Sequence, residues 1–198
     1  MSRKLTEADY RLAAKELGVD VPTVRAVTYV ESNGDGFYDS GTPKILFERH
    51  VMYKRVRDTL GQAAADKYSK MYPEICNPSS GGYGPSIDQP IRMGMAANLI
   101  NRNCALESAS WGLFQIMGYH WKNLGFYSLQ AFVNAMYASE GAQLQAFVAF
   151  IQDDEDMHQA LKTHDWADFA RRYNGPNYAK NNYDRKLRDA YQKFGGMM

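Results

Sequence analysis

The stretch VRAVTYVESNG, residues 24–34, sets the reading of the whole chain. Val24, Val27 and Glu31 stand at i, i+3 and i+7, so an amphipathic helix carries Glu31 on the same stripe as two core-type valines. Asn33 and Gly34 predict the end of that helix, which places Glu31 in its last turn, among carbonyls that make the local potential negative. Desolvation and the negative helix end both disfavour the ionised carboxylate and push its pKa up. A carboxyl that stays protonated near neutral pH is suited to act as a general acid, delivering a proton to a leaving oxygen. The competing reading is an ordinary Glu reaching off a helix end into water.

The same residues open a second possibility. In ESNGDGFYDSGT, Glu31, Asn33, Asp35, Gly36 and Asp39 follow the spacing of a calcium loop, but the closing bidentate Glu is replaced by Thr42 with Pro43 behind it. No metal site is therefore expected here. His50, His120, His158 and His164 show no metal-ligand spacing either, and Cys76 and Cys104 read as small buried hydrophobes kept reduced.

Outward from this element the chain reads as helix after helix. Thr6 caps a first helix with Leu5 and Tyr10 as a hydrophobic staple, and Gly18 ends it; Asp20 caps the second, with Pro22 in its first turn. The Gly, Asp and Pro punctuation of DGFYDSGTPKILFERH predicts a small β-hairpin turning near Asp39 to Pro43, with Glu48 at its far end. Helices are expected from Val51 to Thr59, Gln62 to Met71 and Ile91 to Leu106, separated by a Gly/Pro/Ser-rich stretch, Tyr72 to Pro90, that reads as a mobile surface loop. Phe132/Met136, Leu144/Phe147/Val148/Ile151 and Trp166/Phe169/Ala170 are core stripes, and a last helix is predicted over Tyr178 to Phe194. The fold class is mostly α, an α+β chain with one small β-hairpin.

Composition removes several functions. With 198 residues, 45% of them hydrophobic, the chain supports one sizeable core, and residues 1–198 are expected to form a single domain. A net charge of +1 without an aromatic-interleaved basic run gives no case for nucleic acid. No stretch is apolar enough for a signal segment or a membrane span, so a soluble, cytosolic start and no stable membrane insertion are expected.

Three separated motifs then combine: YVESNGDG, SASWGLFQIMG at Ser108 to Gly118, and RRYNGPNY at Arg171 to Tyr178. In this order they resemble the lysozyme-like superfamily of goose-type lysozymes and lytic transglycosylases. With FERH at Phe47 to His50 the chain is most similar to the N-acetylmuramidase family of bacteriophage endolysins. The resemblance implies a lysozyme-like fold, two helical lobes around a substrate cleft, with Glu31 as the catalytic acid. It also implies glycan contacts from Ser110, Trp111, Gln115, Tyr173 and Asn174, with Trp111 equally readable as packing. Glu48 is the first choice for a second catalytic carboxylate, with Asp35 and Asp39 open. The implied function is that of a phage endolysin cleaving the β-1,4 bond between N-acetylmuramic acid and N-acetylglucosamine, without metal or organic cofactor. The chain would act as a monomer on peptidoglycan glycan strands, reaching the periplasmic wall from the host cytoplasm through a separate pore. A lytic transglycosylase on the same bond, or a non-catalytic wall-binding protein, are the alternatives.

Overall fold

The computed structural model describes residues 3–32, 34–176 and 178–197. In chain order the helices are α1 (Glu7–Leu17), α2 (Val21–Glu31), α3 (Arg49–Leu60), α4 (Gln62–Met71), α5 (Gln89–Leu99), α6 (Arg102–Glu107), α7 (Leu129–Ala138), α8 (Glu140–Asp153), α9 (Glu155–Lys162), α10 (Trp166–Asn174) and α11 (Tyr183–Lys193). Three short strands, β1 (Ile45–Phe47), β2 (Ala109–Trp111) and β3 (Ile116–Met117), form one antiparallel sheet in the order β1-β2-β3. The chain divides into two compact units, one holding everything up to Gly36 together with the stretch from Ala138 onward, the other holding Phe37–Tyr137.

The first unit is all helix, and its element ends follow the sequence closely. Thr6 and Asp9 form a reciprocal capping box on α1, and Gly18 closes it in the left-handed conformation. Asp20 caps α2 through the Thr23 N–H at 2.8 Å. Val24, Val27, Leu144, Phe147, Val148, Ile151, Phe169 and Leu187 are all nearly inaccessible and make the core. Two buried-side contacts clasp the start of α2: the Tyr191 hydroxyl donates to Asp20 Oδ2 at 2.9 Å, and Thr23 Oγ1 lies 2.8 Å from His164 Nε2. The predicted last helix is interrupted. A 3-10 turn at Tyr178–Asn181 precedes α11, and Asn182, at φ 51°, breaks the path between them.

In the second unit the predicted hairpin is corrected. Around the turn at Asp39 the segment keeps only an isolated bridge between Phe37 and Pro43, with the Tyr38 N–H donating to the Thr42 carbonyl at 2.9 Å. The apolar run Ile45–Phe47 pairs elsewhere, with Ile45 opposite Trp111 and Phe47 opposite Ala109, because burial on both sides outweighs local proximity. The true hairpin lies in SASWGLFQIM, where Trp111 faces Ile116. The helix expected over Ile91 to Leu106 is likewise split, since the Asn101 side chain accepts from the Cys104 N–H and starts a fresh helix, α6.

The Tyr72–Pro90 stretch is not the free loop its composition suggested. Ile75 and Cys76 are fully buried, and two arginines strap the backbone: Arg49 donates to the carbonyls of Ser79 and Ser80, and Arg92 to those of Glu74 and Tyr83. Charge-assisted bonds from planar guanidinium groups hold irregular chain that has no ladder of its own. Cys76 and Cys104 are both buried and free, as expected, and burial pushes the Cys76 thiol up to about 11.

The sheet hairpin fits against α6 only because residue 118 has no side chain. A Cβ on Gly118 would fall inside van der Waals contact with the Leu106 carbonyl oxygen and 3.0 Å from Glu107 Cα, both backbone atoms that move only with α6 itself. Gly118→Ala should therefore lower unfolding stability by about 1–3 kcal/mol, read as a lower midpoint in urea denaturation; an unchanged midpoint would mean that α6 gives way freely.

Candidate active site

Glu31 is the last residue of α2, two residues before Asn33, and Ser32 leaves the helix in an extended conformation. Asn33 itself, expected at the helix end and in the calcium-type loop, lies outside the described residues. The Glu31 side chain is half-buried, and Asn174 Nδ2 donates to its Oε1 at 3.0 Å. Burial raises its pKa from 4.5 to about 7, against the opposing pull of the Asn174 hydrogen bond and the positive charge of Lys186. A carboxyl with its pKa in this range keeps a protonated form near neutral pH, a state that can give a proton to an oxygen and take one back.

Tyr173 and Asn174 arrive together at the end of α10, which Gly175 terminates. The Tyr173 ring lies in an aromatic nest, edge-on to Phe147 at 5.4 Å and Phe150 at 5.9 Å and stacked on Phe169 at 6.1 Å. Burial, and then the negative charge of Glu31, drive its phenol far above the usual tyrosine range, so it stays protonated. The packing fixes α10 so that the next side chain, Asn174, meets Glu31. Lys186 was not singled out from the sequence, where α11 reads as an ordinary cationic helix; its influence on Glu31 comes only from how that helix folds back.

The second unit carries its own cluster. Glu48 is the N-cap residue of α3 but caps nothing with its side chain; its backbone N–H donates to the Ser108 carbonyl at 2.9 Å. His50 Nδ1 lies 3.1 Å from Glu48 Oε2, and both atoms are buried without another hydrogen-bond partner. Burial and a hydrogen bond to Glu48 raise the pKa of the Tyr83 phenol. The hairpin that was to carry Glu48 does not form, so its placement comes from β1 and from the Ser108 contact instead. Among the two carboxylates left open, Asp35 is paired with Lys4 and Asp39 is exposed beside the Gly41 turn.

Ser110 and Gln115 meet across the β2–β3 hairpin. Ser110 Oγ donates to Gln115 Oε1 at 2.8 Å, while Gln115 Nε2 donates to the Gly112 carbonyl at 2.8 Å. Gln115 is held at φ 51°, a left-handed conformation costly for a residue with a Cβ, and Gly112 beside it adopts φ 70° with its N–H on the Lys44 carbonyl at 2.7 Å. Strain at a glutamine whose amide is fully engaged marks a turn fixed in one shape. Trp111 requires a correction: its side chain is only 1% exposed, its indole N–H donates to the Leu106 carbonyl at 3.0 Å, and it packs against Phe132 and Tyr137. An indole spent in this way is core and offers no face to a sugar.

A family model for N-acetylmuramidase matches residues 20–195. The chain belongs to the N-acetylmuramidase family. Its fold is also similar to the crystal structure of the Burkholderia AP3 phage endolysin, with a TM-score of 0.90 and 47% identity over 97% of this chain and 72% of that one. No curated protein matches it. The muramidase match spans α2, the β2–β3 hairpin and the end of α10 alike, so all three sequence motifs fall within it.

The raised Glu31 pKa carries a stability signature. A carboxyl with a pKa of 4.5 unfolded and about 7 folded contributes stability that is complete below pH 4.5 and is lost as pH rises through 7. Glu31→Gln keeps an acceptor for Asn174 but has no charge to desolvate. Thermal melts should show the variant close to the parent at pH 5 and more stable than it at pH 8; a difference that does not grow with pH would place the carboxyl in water.

Proposed function

We propose that Glu31 is the general acid of a peptidoglycan-hydrolysing muramidase that works as a phage endolysin, cutting the β-1,4 bond between N-acetylmuramic acid and N-acetylglucosamine. The observation that carries this reading is the Glu31 carboxyl with its pKa near 7, at the end of α2 and in contact with Asn174, in a chain of the N-acetylmuramidase family. In the reaction Glu31 gives its proton to the glycosidic oxygen as the bond to the sugar breaks. The carboxylate left behind is stabilised by the Asn174 N–H and by the charge of Lys186, so the two groups that moderate the resting pKa also lower the cost of giving the proton away. Tyr173 supports this by seating α10.

Glu48 is proposed as the base that takes a proton from the attacking water, with His50 Nδ1 3.1 Å from Oε2 to orient the carboxylate. Water would then add to the anomeric carbon while Glu31 releases the leaving hydroxyl, giving products with reducing muramic acid ends. Ser110 and Gln115 are proposed to hold the β2–β3 turn in shape for the glycan, through the backbone rather than through a free amide. No metal or organic cofactor enters this scheme. The proposal extends to the site of action: the wall, reached by a monomer after release from the host cytoplasm.

Mass spectrometry of fragments from purified sacculi should show reducing muramic ends; anhydro ends, one water lighter, would overturn the hydrolytic route and leave a transglycosylase. Glu31→Gln should lower turnover by roughly a hundredfold or more with its melting temperature retained, and Glu48→Gln should also slow hydrolysis. Wild-type turnover of Glu31→Gln would remove the residue from the chemistry.

Asn174→Ala tests the tuning of the acid. The lost hydrogen bond favoured the charged form, so the Glu31 pKa should rise and the alkaline limb of the pH–rate profile should move above 7, while the maximal rate falls by about tenfold because the departing carboxylate loses a donor. An alkaline limb that stays in place would detach it from Glu31.

A further inference from the structure

We propose that a groove between α2 and α11 binds the free carboxylates of the peptide stems that branch from peptidoglycan strands, an inference that rests on the reading of this chain as a peptidoglycan muramidase. The groove encloses about 490 Å³ and is lined by Tyr29, Val30, Lys186, Asp189, Ala190 and Lys193. Neither Asn174 nor Glu48 lines it, and Lys186 is the one lining residue that the steps above use, through its charge on Glu31.

Its chemistry is cationic and half apolar. Two ammonium groups face a single carboxylate, and what the ammoniums touch is aromatic: Lys193 Nζ lies 4.2 Å from the Tyr29 ring centroid and 5.7 Å from that of Phe194, and Lys186 Nζ lies 5.1 Å from that of Tyr183. Neither ammonium has an ion-pair partner among the described residues, so both keep capacity for an anion. Tyr29 is 58% exposed despite its place on a helix whose other face is core, and the edge-on Phe194 ring at 5.7 Å props it there.

The polymer has one class of anion that fits. In an intact strand the sugars carry hydroxyl and acetamido groups, and the lactyl carboxyl of muramic acid is tied up in its amide bond to the stem. Negative charge therefore sits on the stem carboxylates, next to small side chains such as alanine methyls. A groove with two free ammoniums, an aromatic face and the short apolar side chains of Val30 and Ala190 matches both features. Position agrees as well. Val30 is the neighbour of Glu31 in the chain, and Lys186, which lines the groove, lies close enough to Glu31 for its charge to be felt there. A stem leaves from the muramic sugar whose bond is cut, which puts its carboxylates within a few residues' reach of the scissile oxygen.

The test uses one soluble tetrasaccharide carrying peptide stems, compared with the same molecule after its stem carboxylates are converted to amides. Amidation should raise KM for the parent protein by about threefold, the worth of one exposed ion pair, and added salt should shrink that difference. Lys193→Met should raise KM for the carboxylate form by a similar factor and become indifferent to amidation. Asp189→Asn, which removes the groove's one opposing charge, should widen the parent's difference. A parent KM insensitive to amidation, or a Lys193→Met protein that keeps its sensitivity, overturns the proposal. So does Tyr29→Ala weakening both substrate forms equally while Lys193→Met has no effect, which would make the groove a sugar site. Binding of both forms to Glu31→Gln by calorimetry reads the groove without turnover, so failure of the acid assignment and failure of the groove are told apart.

Discussion

Desolvation of the Glu31 carboxyl is the constraint on which the chemistry of the first unit depends. A carboxyl in water at the end of a helix would be ionised at pH 7 and useless as a proton donor, whereas one sealed in apolar core would never release its proton. The pKa near 7 requires partial withdrawal, and that in turn requires α2 to end at a fixed place. Asp20 and Tyr191 fix its start, the buried Val24 and Val27 fix its rotation, and the Tyr173 nest brings Asn174 to its end. Each of these contacts is ordinary packing or capping. Their joint effect is that a stripe position, normally reserved for an apolar side chain, ends on an acid.

Glu140 shows by contrast that burial alone does not decide what a carboxylate does. It is 4% exposed, more withdrawn than Glu31, but it begins a helix instead of ending one. Lys4 Nζ and the Gly36 N–H donate to one oxygen and the Leu5 N–H to the other, so its charge is compensated by three donors and by the positive end of α8. That carboxylate ties the N-terminal residues and the segment after Glu31 onto α8, and acts as a structural anchor. Glu31 has one donor among the described residues, at the opposite kind of helix end. Two buried glutamates in one unit thus take different jobs because of donor count and helix polarity, and both features are set by where each falls in its helix.

These two residues also show what the sequence made legible. Glu31 could be found because its signal is local: valine spacing, a helix end and a neighbouring glycine lie within a dozen residues. The caps at Thr6 and Asp20 were readable for the same reason. Glu140 gave no such signal, because its three donors come from residues far away in the chain. Lys186 and the Glu48–His50–Tyr83 cluster were hidden likewise, although FERH placed Glu48 and His50 two residues apart. The sheet failed in an instructive way. Ile45–Phe47 was correctly a strand, but the pairing was assigned to the nearest turn, and a strand carries no local mark of its distant partner.

Trp111 and Gln115 extend that lesson into the site itself. The motif SASWGLFQIMG looks like a row of ligands, because tryptophan and glutamine are both residues that meet sugars. In the fold the tryptophan turns inward and gives its N–H to Leu106, and the glutamine uses both ends of its amide to close a turn in which it sits at positive φ. The residue types demanded by a tight, buried hairpin are the same as those demanded by a glycan, so sequence alone could not separate the two. What decides is whether each polar atom already has a partner inside the protein, and here the hairpin satisfies its own. The surface it offers outward is therefore backbone of fixed shape, held by strain that the Ser110 and Gly112 contacts offset.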